Sequence, residues 1–358
     1  QVNATIDGYR QHQTHPYTST AEGYYQVFSH ITNKYPTTPG LNKYGLPYNI
    51  ADNPVAETAK DAGYIRTINN VINGKGELIW SVPWVEGLKV RAASNYRYYS
   101  NSTKKWRKDA AVYDWDSESP QYANKPLLRY ENSNGYAFTN QAFVEYAKEF
   151  GKHHISALAG FEQYYEKNEG YWLQRDNYAF NIDQIGIGDA NTQTNGGLLE
   201  EKDAYENKTY PAETEAGRAA WIGQVKYNYD NKYYIEGSIR HDGSDRFAPG
   251  KRWGTFFSGS LGWVVTAEEF MQDLVEKNIL NNLKLRASYG ETGQDSAAGR
   301  YSYMTTYHYS SQAFVMNGQY QPGFTEGILA SPDLTWYTTR QFDLGFDFAS
   351  LNSRLYGS

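Results

Sequence analysis

Hydrophobic and polar residues alternate with a period of two along most of this chain, the spacing of a strand with one face in an apolar medium. From Ala219 to Asp230 the odd positions hold Ala219, Trp221, Gly223, Val225, Tyr227 and Tyr229, and the even ones include Gln224, Lys226, Asn228 and Asp230. Asp230-Asn231 reads as a tight turn, after which Tyr233, Ile235, Gly237 and Ile239 point away from Tyr234, Glu236, Ser238, Arg240 and Asp242. The expected element is a long antiparallel hairpin. The pattern returns in Phe257, Gly259, Leu261 and Trp263, in Leu283, Leu285, Ala287 and Tyr289, and in Phe342, Leu344, Phe346 and Phe348. Less clean versions are Ala142, Val144 and Tyr146, then Ile155, Ala157, Ala159 and Phe161, joined by a turn at Gly151-Lys152.

Asn73-Gly74-Lys75-Gly76 is readable as a hairpin turn or as a bulge within one strand from about Tyr64 to Pro83. The apolar phase runs through it at Ile68, Ile72, Leu78, Trp80 and Val82, which favours the bulge and makes Val85-Glu86-Gly87 the next turn. Connections then alternate strictly. Tight turns near 86, 151 and 230 alternate with long loops over about 101 to 134, 167 to 217 and 244 to 252. Thr266 with Glu269 forms a capping box ahead of Phe270, Leu274 and Val275, so a short helix is expected over Thr266 to Lys277 on the turn side.

Short turns on one side and long loops on the other are the habit of an outer-membrane β-barrel. The fold class is therefore all-β, an antiparallel transmembrane barrel with short periplasmic turns and long extracellular loops. A mean hydropathy of −0.75 agrees with strands that turn only alternate residues to lipid. Every apolar run is interrupted well short of the ~20 residues a membrane helix needs. A Lys or Arg on the lipid face near midplane costs about 2 to 4 kcal/mol, so Lys226, Glu236, Arg240, Lys284 and Arg286 are assigned to the lumen. Tyr96, Tyr98, Tyr99, Tyr229, Tyr233, Tyr234 and Trp263 at strand ends suit aromatic girdles.

Composition removes other classes. The 358 residues contain no Cys, which excludes disulfides and thiolate metal sites, and 34 Lys and Arg are scattered among 40 Asp and Glu without a stripe that would track nucleic acid. No basic region followed by an apolar stretch follows Gln1, so a signal peptide has been removed or the chain is an internal fragment.

Few constellations point to chemistry. Asp242-Gly243-Ser244-Asp245 lacks the length and final Glu of an EF-hand loop and reads as a polar turn. His153 and His154 are adjacent on a strand, face opposite ways and suit the interface better than a shared metal. Gly186-Ile187-Gly188 lacks a dinucleotide-site context, and Glu200-Glu201 and Glu268-Glu269 read as solvated charge. No nucleophile elbow, phosphate loop or zinc helix is present, so neither an enzyme nor a cofactor is expected. Trp106, Trp115, Tyr171, Trp172 and Tyr178 fall in the expected extracellular loops. They suit stacking on sugar rings, packing on a partner protein, or folding the loop onto itself.

Longer stretches carry a resemblance. Gly237-Ser238-Ile239-Arg240-His241-Asp242-Gly243-Ser244-Asp245-Arg246-Phe247, Arg252-Trp253-Gly254 and Gly262-Trp263-Val264-Val265-Thr266-Ala267-Glu268-Glu269-Phe270-Met271 closely resemble SusC/RagA-type TonB-dependent transporters. Asn282 to Gln294, Leu334-Thr335-Trp336 and Phe342-Asp343-Leu344-Gly345-Phe346-Asp347-Phe348 extend the match. It is strong over residues 218 to 358 and weak earlier, through Gly87-Leu88-Lys89-Val90-Arg91.

The resemblance implies a barrel of about 22 strands with a plugged lumen, of which residues 1 to 358 are a part lacking the plug and the final strands. It further implies outer-membrane import of a glycan, oligosaccharide or peptide, with a SusD-like lipoprotein as lid and TonB acting through the plug. Two alternatives remain at this point. One is a stand-alone TonB-dependent receptor for a metal chelate, and the other is a water-soluble β-rich adhesin or glycan-binding module.

Overall fold

Alternation with period two makes a sheet with two different surfaces, and a single large antiparallel sheet is what forms. The computed structural model describes residues 1–17, 24–59, 62–108, 110–122, 125–197, 213–296, 299–327 and 329–358. In chain order the strands are β1 (Val2–Pro16), β2 (Gly63–Ser81), β3 (Leu88–Arg107), the short pair β4 (Ala111–Val112) and β5 (Gln121–Tyr122), β6 (Leu127–Phe150) and β7 (His153–Asp176). Then come β8 (Thr194–Gly197), β9 (Glu213–Tyr229), β10 (Tyr233–Ser244), β11 (Trp253–Val264), β12 (Leu280–Gln294), β13 (Tyr307–Met316), β14 (Gln319–Glu326), β15 (Tyr337–Ser350) and β16 (Leu355–Gly357). Short helices are α1 (Tyr24–Asn33), α2 (Pro54–Glu57) and α3 (Gln272–Glu276).

Twelve strands share one sheet in the order β1-β2-β3-β6-β7-β9-β10-β11-β12-β15-β16, with β8 beside the outer part of β7. The sheet is open, with β1 and β16 at its edges. Registers carry one face unbroken from strand to strand: Glu236 sits opposite Lys226 and Ser260, Lys226 opposite Ser156, Ser260 opposite Ser288, and Ser288 opposite Asp343. The other face is apolar and open to its surroundings, carrying Val225, Ile235, Leu261, Leu285, Leu344, Val144, Ile72 and Ile6. Exposed apolar surface of this extent belongs in lipid.

Aromatic rows bound the apolar band. At the turn end Phe150 stacks on His153 with centroids 5.3 Å apart, His153 meets Tyr229 at 5.0 Å, Tyr229 stacks on Tyr233 at 6.4 Å, and Trp80 meets Trp84 at 5.7 Å. At the loop end Tyr96 stacks on Tyr136 at 6.1 Å and Tyr136 meets Tyr165 at 6.1 Å. Just beyond, charges reappear on the apolar-face positions but are paired, as in Arg340–Glu291 at 3.0 Å and Lys167–Glu215 at 3.5 Å. Tyr99 and Tyr234 do not join these rows. They lie on the polar face, where the Tyr99 hydroxyl donates to Asn168 and Tyr234 lies 4.6 Å beneath the Lys284 ammonium.

Strand β2 runs straight through Asn73 to Gly76 without a register shift against β1 or β3, so it is one strand with no bulge. Strands also extend further than their sequence suggests: β3 reaches Arg107, β6 begins at Leu127, and β7 reaches Asp176. The expected helix over Thr266 to Lys277 is broken into two 3₁₀ turns and α3. Its capping residue is used elsewhere, because the Thr266 hydroxyl accepts the Leu283 N–H of β12 at 3.1 Å. The segment nonetheless sits at the turn end, between β11 and β12. Among the described residues no helix is long and apolar enough to cross a membrane.

Candidate functional site

A cavity of about 850 Å³ opens on the outer half of the polar face. Glu162, Tyr164, Glu166 and Asn168 of β7, Arg218 of β9, and Arg240 and Asp242 of β10 line it, with Asp295, Arg300 and Trp336 from the loop side. The strands deliver theirs at alternate positions, so registry gathers the residues of β7, β9 and β10, and the loop between β12 and β15 brings the other three.

Their charges are paired. The Arg218 guanidinium donates to both oxygens of Asp295, at 2.9 and 3.2 Å, and the Ser244 hydroxyl donates to the same buried carboxylate at 2.9 Å. Asp245 accepts the Gly217 N–H at 2.9 Å and Arg300 at 3.4 Å. Arg240 holds Asp242 at 2.9 Å, while Glu166 accepts from Tyr164 and Asn168. Bidentate and doubly satisfied carboxylates of this kind are fixed in place, and the wall offers a rigid mixture of donors and acceptors set among apolar groups such as Ala219, Ala220 and Trp336.

Beside the cavity lies an apolar floor. Phe247 and Phe256 are buried, both pack on Trp336 with centroids 5.5 Å away, and the Trp336 indole donates to the Arg252 carbonyl at 2.9 Å. A Cβ on Gly293 would stand 2.0 Å from the Phe256 ring, and one on Gly254 2.7 Å from it, so glycine lets the ring lie against the strands. The glycines and Trp336 of the resembling stretches thus acquire a physical role.

The residues assigned to the lumen share the polar face of the sheet. Lys226 pairs with Glu236 at 3.3 Å and Arg286 with Asp347 at 3.0 Å, Lys284 covers Tyr234, and Arg240 lines the cavity.

The aromatic residues divide differently. Trp106, Tyr171 and Trp172 stand on strands rather than in loops. Trp106 and Tyr178 are buried and meet edge to face at 4.9 Å, together with the fully buried Leu128 and with Tyr64, Tyr130 and Ile185. Both are therefore corrected from ligand-contact residues to packing residues. They lie on the continuation of the apolar face, where strands rise past the aromatic rows and the β7–β8 loop folds back over them. Asp183 fastens that loop, accepting from the Lys104 ammonium at 2.7 Å and from the Tyr64 hydroxyl. Burial alone would raise its pKa, but these two hydrogen bonds outweigh it and hold the carboxyl below its usual range. Burial pushes the Tyr178 phenol up to about 12.

Trp172 lies on the polar side, with the Arg129 guanidinium 4.0 Å above its ring and Glu131 bridging Arg129 and Lys105 at 2.6 and 2.7 Å. Tyr171 is exposed at 53 % on the opposite face. Trp115 is half exposed and meets Tyr48 edge to face at 5.6 Å, in a cap where the loops after β1 and β3 join. Buried Asn42 bolts that cap by donating to the carbonyls of Asp114 and Ser117 at 3.1 and 2.9 Å.

Sequence reasoning missed Arg218, Asp295 and Arg300 at the cavity, because residues 77 positions apart carry no local signal of meeting. It also missed the β13–β14 hairpin, for which Asn317-Gly318, both at positive φ, was the available turn signal.

A family model for the TonB dependent receptor-like β-barrel matches residues 5–358. The chain belongs to the TonB-dependent receptor-like β-barrel family. Within it, the chain is similar to the TonB-dependent receptor SusC of Bacteroides thetaiotaomicron, with 27 % identity over 76 % of this chain and 23 % of that protein. It is 32 % identical to TonB-dependent receptor P39 of Formosa agariphila over 62 % of this chain and 19 % of that one. The chain thus spans about a quarter or less of the curated relatives it matches.

Among solved structures, the RagAB peptide importer in its closed-closed state has the same fold, with a TM-score of 0.69 at 19 % identity over 99 % of this chain and 37 % of that one. The RagAB peptide transporter gives 0.63 at 21 % identity, over 82 % and 29 %. As a member of the TonB-dependent receptor-like β-barrel family, the chain is part of an outer-membrane barrel wall, and its likeness to SusC and RagAB agrees with the resemblance its sequence carries. Membership also disposes of the water-soluble alternative.

Proposed function

We propose that this chain forms the wall and outer loops of an importer that takes a glycan, oligosaccharide or peptide across the outer membrane. In this reading it works with a SusD-like surface lipoprotein and is energised by TonB through a plug. The observation that carries the reading is the polar cavity. Its paired charges and fixed donors and acceptors suit a ligand rich in hydroxyls or amides, which exchanges water for hydrogen bonds without needing an apolar pocket. Lys226, Glu236, Arg240, Lys284 and Arg286 line the lumen in this proposal, and Trp172, Tyr171 and Trp115 are the aromatic surfaces left for substrate or lid. The lid has support of its own in the β13–β14 hairpin, which holds Tyr307, Tyr309, Val315, Met316, Tyr320 and Phe324 at 58 to 74 % exposure beyond the apolar band. Apolar side chains in that position call for a protein neighbour. The RagAB peptide importer has closed-closed and open-open states, which agrees with a lid that moves.

The test is to tag the full-length parent protein, extract outer membranes with detergent and weigh the purified complex by native mass spectrometry. A stoichiometric lipoprotein is the expected result. A barrel that purifies alone and retains a metal chelate overturns the lidded importer and favours the stand-alone receptor.

A further inference from the structure

The β1–β2 connection brings α1 and α2 together outside the sheet, and three side chains converge there: His30 near the end of α1, Asp52 just before α2, and Glu57 at its end. One ligand atom from each lies within 4.8 Å of the others. The arrangement is directional. His30 Nδ1 stands 2.9 Å from both Glu57 oxygens. A carboxylate only accepts, so Nδ1 carries the hydrogen. In that tautomer the lone pair sits on Nε2, which faces Asp52 Oδ1 at 3.8 Å. Two acceptors confronting each other at this separation span the bite of a cation about 2.0 to 2.2 Å from each. A carboxylate behind the far ring nitrogen is also the arrangement that orients metal-bound imidazoles and raises their basicity.

The frame around these groups is fixed. Asn53 is buried between them. Its Oδ1 caps α2 by accepting the Val55 N–H at 3.1 Å, and its Nδ2 donates to the carbonyls of Gly40 and Tyr48 at 2.9 and 2.7 Å. The Lys34 ammonium is engaged by the Ala51 carbonyl at 2.5 Å. The His30–Glu57 half of the site is therefore set before any ligand arrives, and the exposed Asp52 carboxylate supplies its open side.

We propose that His30 and Asp52 bind a divalent transition-metal cation of the zinc class at the outer surface, with Glu57 orienting the imidazole and water completing the coordination. One imidazole nitrogen with carboxylate oxygen suits such a borderline cation better than Ca²⁺ or Mg²⁺, which take oxygen alone. The site lies apart from the polar cavity, and its occupancy is independent of what the barrel imports.

The experiment uses the untagged full-length receptor in detergent, titrated with Zn²⁺ by calorimetry and with Co²⁺ by visible absorption. His30→Gln and Asp52→Asn are each expected to remove one saturable equivalent from the binding isotherm, and Glu57→Gln to weaken that equivalent about tenfold. Heat-modifiable gel mobility, unchanged in all three, shows that the barrel is still folded. An isotherm that is the same in the native protein and in both ligand variants overturns the proposal, as does an equivalent that Ca²⁺ displaces as readily as Zn²⁺.

Discussion

The two halves of the sheet cross the same membrane with strands of very different length. Strands β6 and β7 have 24 residues each, and β10 and β11 have 12. About 9 to 11 tilted residues suffice for the hydrocarbon, so β10 and β11 are little more than membrane, and β6 and β7 stand well clear of it. Where lipid is the solvent, the apolar face needs no protein cover, and Ile235 and Leu261 remain open. Above the aromatic rows the same face meets water, and there the chain covers itself. Trp106 and Leu128 disappear beneath Tyr178 and Ile185, and Lys104 and Asp183 clamp the edge. One face thus obeys two solvents.

That difference is open to direct attack. The largest effect is expected from Trp106→Ala, which removes the centre of the outer cluster at a cost of about 3 to 5 kcal/mol. It should open residues 177 to 193 to protease while leaving the heat-modifiable gel shift of the barrel in place. Loss of the whole barrel at the same temperature would show that the two regions are not separable.

Next comes Leu261→Arg on the open face, with a cost of about 2 to 4 kcal/mol in urea unfolding from lipid vesicles. Its neighbour Ser260→Arg, on the polar face, should be tolerated, and equal penalties for the two would contradict the assignment of faces.

Acid gives a smaller, local effect. The Asp183 carboxyl lies below its usual range, so its clamp is fully present above about pH 4 and is lost as pH falls through the lowered value. Pepsin cleavage of the loop should rise only at the acid end, and Asp183→Asn should remove that pH dependence. Smallest is Tyr178→Phe. Among the described residues its buried hydroxyl has no hydrogen-bond partner, so its removal is expected to shift stability by less than about 1 kcal/mol in either direction.

The same two solvents explain what the sequence disclosed. Where lipid and lumen flank a strand, as from Ala219 to Tyr229, the two faces differ so sharply that parity, turn positions and pairing follow from the pattern. Above the lipid the contrast fades. Asn101-Ser102-Thr103-Lys104-Lys105 is polar on both faces and reads as loop, yet it is strand, held by pairing with β2 and β6. The cavity shows the same division: Arg240 was legible because lipid excludes it from the other face, whereas Asp295 became a partner of Arg218 only through folding of the loop. Thr266 carried a genuine helix signal that a tertiary contact with Leu283 overrode.

One carboxylate at the turn end has a mechanical consequence. Glu268 accepts the Tyr233 hydroxyl, then the Trp263 indole N–H at 3.1 Å, and stands 3.5 Å from the Lys232 ammonium. These hydrogen bonds hold its carboxyl below the usual range. Aromatic residues at a membrane boundary seat a barrel at the level of the lipid headgroups. Here the polar edges of two such rings are tethered to a backbone segment outside the lipid, so the barrel's inner rim has a set height. In a bilayer of unsuitable thickness, it is the lipid that must thin or thicken around this rim.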